Sequence, residues 1–256
     1  MVFIFPILNR KTEMRIFVIS LFLQLALIVA AHAGDYAYEQ VIGFSKDGRY
    51  FGFEEYGIRD GSGFPYSNLY IIDLETDTFA PSTPVRLVKE SENASLASVR
   101  LEVKSKAKSI LRKYKLNHPA VVAYARGLGD FSDSSEGLSI PITSRVVLPS
   151  HTDPTEDKGD YFDLVLKHIQ VPSAGKCPID TIGFQMEKID PNGKRRFVHR
   201  DEKIFLSRGC PLKYRLSRIY LPADRSGDFA VALISVFQLG FEGPDRRFVV
   251  FPVSLR

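Results

Sequence analysis

The chain has 256 residues, with 34 Lys and Arg against 30 Asp and Glu, two Cys and no Trp, and 45% of its residues are apolar. That balance excludes a disordered or collagen-like chain, and a net charge of +4 is too small for a protein held to nucleic acid through its phosphates. The length suits one domain, or two small ones, with a real core.

Residues 1–33 read as a leader. Arg15 follows Met14, and Ile16 to Ala31 is apolar except for Ser20 and Gln24, ending in Ala31-His32-Ala33 before Gly34. A basic start, an apolar core and a small-x-small end are the parts of a secretory signal peptide. The apolar run is shorter than the roughly 20 residues a bilayer span needs. We expect cleavage before Gly34, with an uncleaved anchor as the alternative; translation starts at Met1 or at Met14. Residues 34–256 are then a single β-rich domain, periplasmic or secreted. No later run of 18 apolar residues exists, so no stable membrane span is expected after cleavage.

In the mature chain, Val41–Phe44 leads through Ser45-Lys46-Asp47-Gly48 into a strand over Arg49–Tyr56. Asp-Gly supplies the positive φ of a tight hairpin. Strand alternation puts Phe51, Phe53 and Glu55 on one face and Tyr50, Gly52, Glu54 and Tyr56 on the other, so the neighbouring glutamates do not form a catalytic carboxylate pair. A Gly-rich loop over 57–68 precedes a strand at Leu69–Leu74. Pro81–Pro84 reads as a linker. Leu96, Val99, Val103, Ala107, Ile110 and Tyr114 then make the apolar stripe of one helix near 95–116, stopped at Asn117-His118-Pro119. On the same helix Arg100, Lys104, Lys108 and Arg112 recur every four residues, as a solvated face or a surface for an anionic partner.

Polar loops follow at Gly127–Ser139 and Ser150–Asp160. The rest is strand-rich: Arg145–Leu148, Tyr161–Val171, Thr181–Ile189, Arg196–His199, Tyr214–Leu221, Ala230–Phe237 and Phe248–Phe251. The expected fold is mainly β: antiparallel blade-like hairpins, propeller-like or sandwich, with one amphipathic helix. A weak internal echo relates Gly48–Leu69 to Gly227–Phe248, with Gly63-Phe64 matching Gly240-Phe241.

Two resemblances attach to these motifs. Phe44-Ser45-Lys46-Asp47-Gly48-Arg49-Tyr50 followed by Leu69-Tyr70-Ile71-Ile72-Asp73-Leu74 resembles a blade of TolB-like and WD40-like β-propellers, which implies a β-meander over about 35 residues. Asp47–Phe51 with Glu54–Gly57, Ser207-Arg208-Gly209-Cys210-Pro211 and Gly240–Asp245 make the whole mature chain look like an uncharacterised family of predicted secreted proteins from Gram-negative bacteria. That resemblance implies a periplasmic location and carries over no activity, cofactor or site residue.

Cys177 and Cys210 are the only cysteines, and an even count in an oxidising compartment favours a disulfide. Cys-x-x-Cys, His-Glu-x-x-His, Gly-x-Ser-x-Gly, the P-loop and the dinucleotide fingerprint are all absent, so no cofactor or metal site is expected. His118, His151, His168 and His199 read as surface or hydrogen-bonded structural residues. Asp130, Asp133 and Glu136 could offer oxygen ligands to Ca²⁺, but their spacing matches no EF-hand. The best candidate binding surface is the pair of Gly-rich loops, with Arg59, Asp60, Phe64 and Tyr66 on one and Phe241, Glu242 and Arg246 on the other. The expected function is binding of a periplasmic protein or envelope component without catalysis. The alternatives are a cell-envelope hydrolase with a scattered site and a small-ligand or metal sensor.

Overall fold

The structure is a computed structural model and describes residues 34–127, 141–148, 160–172, 177–241 and 243–256. Asp47-Gly48 makes the first turn as its sequence demands. Gly48 has φ 68°, and the Asp47 carboxylate accepts hydrogen bonds from Ser45 Oγ and the Arg49 amide. This turn joins β1 (Tyr38–Phe44) to β2 (Tyr50–Ile58), and β3 (Pro65–Asp73) and β4 (Thr78–Phe79) continue the meander. β5 (Val85–Val88) returns to pair with β3. The loop after β2 is shorter than expected: β3 already begins at Pro65.

A second sheet runs in the order β13 (Asp245–Ser254), β12 (Phe229–Gln238), β11 (Pro211–Pro222), β6 (Ala120–Ala125). The third is a meander, β7 (Ile142–Val147), β8 (Tyr161–Gln170), β9 (Ile182–Ile189) and β10 (Arg195–Arg200), inserted between β6 and β11. All named strand pairings are antiparallel. The fold is mainly β, as the sequence indicates. The sequence does not announce β5 or β6: β5 is only four residues long and follows the Pro81–Pro84 segment, and the uniformly apolar Ala120–Ala125 shows no alternation.

β12 shows how the sheets layer. Ala230, Ala232, Ile234 and Val236 pack with Phe162, Leu164, Phe184 and Met186 of the third sheet. The intervening Val231 and Leu233 pack with Phe51, Phe53 and Ile72 of the first. Both faces of the second sheet are therefore buried, which is why β12 reads as a nearly unbroken apolar run. The far face of the first sheet, Leu69 and Ile71, is covered by Val103, Ala107 and Tyr114.

These last residues belong to α1 (Leu96–Lys106) and α2 (Lys108–Tyr114), two helices where one was expected. Ser95 caps α1 by accepting a hydrogen bond from the Ser98 amide. The break falls at Ala107, whose ψ of −5° departs from helical geometry, and Lys115 ends α2 in the left-handed conformation. The expected disulfide is present: Cys177 and Cys210 are bonded with Cα atoms 5.7 Å apart. It links residues 33 apart in sequence, a constraint worth roughly 4 kcal/mol in the chain-entropy model.

Candidate cleft where three sheet edges meet

β13 is an edge strand of the second sheet, β10 of the third, and β4 and β5 lie along one edge of the first. Where these edges converge they leave a cleft of 530 Å³. Its floor is Phe248, Val249, Val250 and Phe251 of β13. One wall is an aromatic ladder: Phe53 stacks on Tyr70 at 5.0 Å between centroids, and Tyr70 meets Phe79 at 5.7 Å. Phe79 is 54% exposed at the rim. The other wall comes from His199 of β10 and from Phe205, Ser207 and Arg208, in and beside the 3₁₀ turn Leu206–Arg208. That turn lies two residues before Cys210, so the disulfide tethers it.

Polar groups of this second wall are organised by Asp201, which is 3% exposed. Its carboxylate accepts hydrogen bonds from His199 Nε2 at 2.9 Å, Arg208 at 2.7 Å and the Phe184 amide at 3.0 Å. Burial pushes the Asp201 carboxyl up, but His199, Arg208 and the Phe184 amide together hold it below the usual carboxylate range. Arg208 lies over the rings of Phe184, Tyr214 and Phe251 at 5.8 to 6.0 Å. The His199 ring packs on Phe251 at 4.1 Å. Among the described residues no hydrogen bond links Ser207 to His199, whose ring bonds Asp201 instead. Asp77 lines the cleft from the turn before β4, with φ 52°. Partial desolvation raises its carboxyl, against the opposing charges of His199 and Arg208.

The loop residues named from the sequence sit elsewhere, and none lines this cleft. Arg59, Asp60 and Phe64 are in the loop joining β2 to β3, and Phe241 is 84% exposed in the loop joining β12 to β13. The two loops do meet, since a Cβ on Gly61 would lie 3.9 Å from the Phe241 ring. Tyr66 and Arg246 were expected on these loops and are instead buried strand residues, 3% and 2% exposed. β3 starts at Pro65, so alternation turns Tyr66 inward with Tyr70 and Ile72. Arg246 donates to the Ala37 carbonyl and packs over Tyr36 and Phe248. Glu242, together with Asp130, Asp133, Glu136 and His151, lies outside the described residues.

The basic helix stripe also divides. Arg100 and Lys104 reach the fully buried Glu54 at 2.9 and 3.3 Å, and only Lys108 and Arg112 remain on an open face. His118 pairs with Asp224 and His168 bonds the Tyr214 backbone, both structural roles. Among the described residues no group of three His, Cys, Asp or Glu is placed to hold a metal, and no helix is long and apolar enough to cross a membrane.

Sequence reasoning missed the cleft because its residues span Phe53 to Phe251. The nearest signal was local: His199-Arg200-Asp201 and the Ser207–Cys210 motif lie within a dozen residues. A family model described as "Predicted secreted protein (DUF2259)" matches residues 52–254. No curated protein and no solved structure matches the chain.

Proposed function

From the premise that the chain belongs to this family of predicted secreted proteins, we propose that it is a periplasmic binding protein whose ligand seats in the aromatic cleft. The observation that carries this reading is the cleft itself: 530 Å³ of space walled by Phe53, Tyr70, Phe79, Phe205, Phe248 and Phe251. Small-molecule sites fall at about 300–1,000 Å³ and combine apolar walls with a few placed polar groups, a description this cleft fits. Phe79 and Phe205 are 54% and 53% exposed where they line it, a cost in water that a bound apolar ligand removes. We read the role as binding, with the His199–Asp201–Arg208 group holding the wall through its mutual hydrogen bonds.

Titration with the neutral fluorophore phenylnaphthylamine tests the reading. The protein should bind it, and replacing Phe79 and Phe205 together by Ala should weaken binding about tenfold, the scale of two aromatic anchors. Unchanged binding in the double variant refutes the cleft as the site.

A second surface rests on the meeting of the two loops at Gly61 and Phe241. With Phe241 so exposed, this tip suits a protein partner of the envelope. Phe241→Ala should then reduce capture of that partner in pull-downs and leave thermal unfolding unchanged.

A further inference from the structure

We propose that the cleft selects an apolar small molecule carrying one anionic end, and that Arg86 is the residue that reads the charge. This rests on the binding reading above and names the ligand class of that same site.

The charged and titratable groups lining the cleft are Asp77, Arg86, His199, Arg208 and Tyr70. They divide by position. Arg208 is matched to Asp201. Asp77 shares that end of the cleft with His199 and Arg208, so acidic and basic side chains stand there together. Arg86 stands apart on β5, opposite Asn68 of β3. Its guanidinium lies 5.9 Å from the Tyr70 ring centroid. No carboxylate pairs with it among the described residues. It is an exposed cation held at the mouth of a mostly aromatic space.

A stem of this kind suits a planar, bidentate contact to carboxylate, sulfonate or phosphate. The aromatic ladder that Arg86 lies over takes the apolar body, because Tyr70 stacks between Phe53 and Phe79. A neutral ligand of the same shape gains the ring contacts but leaves Arg86 in water. A cationic ligand meets an unmatched like charge.

Two probes separate this inference from the reading beneath it: neutral phenylnaphthylamine and the anionic anilinonaphthalene sulfonate, each titrated into the full chain. Arg86→Gln should weaken the sulfonate about tenfold, the scale of one lost charge-assisted hydrogen bond, and change the neutral probe less than about twofold. Arg86→Lys should recover part of the loss. The sulfonate preference should shrink in high salt, because Arg86 is exposed and screened. Decanoate should displace the sulfonate better than decanol does. If Arg86→Gln leaves both probes unchanged, or weakens both equally, charge selection is wrong while the binding cleft stands. If the wild-type protein binds neither probe, the cleft reading itself falls and takes this inference with it.

Discussion

Glu54 and Glu55 are neighbours on β2, both almost wholly buried, yet the two sides of that strand treat a carboxylate in opposite ways. Toward the helices, Glu54 accepts from Arg100 and Ser67 and pairs with Lys104. Burial pushes its carboxyl up, but these partners hold it below its ordinary value. Toward the second sheet, Glu55 accepts from the Phe248 amide at 2.8 Å and from Asn68 at 3.2 Å. There burial dominates and raises its carboxyl, as it does for Asp35 nearby, despite the Arg247–Asp35 ion pair. Burial is common to both glutamates. What differs is the number of cations within bonding reach, and that decides which protonation state the fold prefers.

The two sides serve different ends. Glu54 anchors α1 to the first sheet. Glu55 satisfies the Phe248 amide of β13, a buried donor that would otherwise lack a partner. Two residues along, the Asp35 carbonyl accepts from the Arg246 amide and the Ala37 amide donates to the Arg246 carbonyl.

The interior side breaks most easily at Arg247. Arg247→Met leaves Asp35, whose side chain is 2% exposed, with only Tyr66 as a side-chain partner. We expect a loss of about 3 kcal/mol in urea unfolding, and recovery of most of it on adding Asp35→Asn, because the cost is an uncompensated buried charge. A double variant no more stable than the single one would locate the cost elsewhere.

Glu54→Gln should cost less, about 1–2 kcal/mol at neutral pH, by removing charge-assisted bonds to Arg100. The loss should be pH-dependent. A carboxylate lowered by folding contributes above its unfolded pKa of about 4.3, and the contribution disappears as pH falls through the folded value. Wild type and Glu54→Gln should therefore converge in acid.

Glu55→Gln has the smallest expected effect and the opposite trend. A carboxyl raised by folding favours the folded state least once pH exceeds its folded value. The variant should match wild type near pH 4 and gain on it as pH rises, by up to about 1 kcal/mol, in melts followed across that range. A loss at neutral pH equal to that of Glu54→Gln would erase the distinction between the two sides.

Much of this was legible in the residues. Alternation alone put Glu54 and Glu55 on opposite faces and grouped Phe51 with Phe53, since strand geometry is local. The Asp47-Gly48 turn, the Val99–Val103–Ala107 stripe and the Cys177–Cys210 pairing follow from equally short-range rules or from simple counting. The same rules overreached where an element's boundary mattered. Nearby glycines suggest loops at Tyr66 and Arg246, whereas pairing extends β3 to Pro65 and starts β13 at Asp245.

Partners across the fold followed no local rule. Glu54 meets Arg100 from 46 residues away, and Glu55 meets Phe248 from 193 away. Nothing in Arg100-x-x-x-Lys104 distinguishes a solvated stripe from two cations that fold back onto a buried acid. The sequence by itself determined the secondary-structure periods, the turn at Gly48 and the available disulfide. Only the tertiary structure decided which faces the second sheet buries, which cations remain unmatched, and that the edges carrying Phe79, Arg86, His199 and Phe248 converge on one cleft. Backbone geometry repeats over a few residues, but the layering of sheets depends on how their twisted faces close on one another.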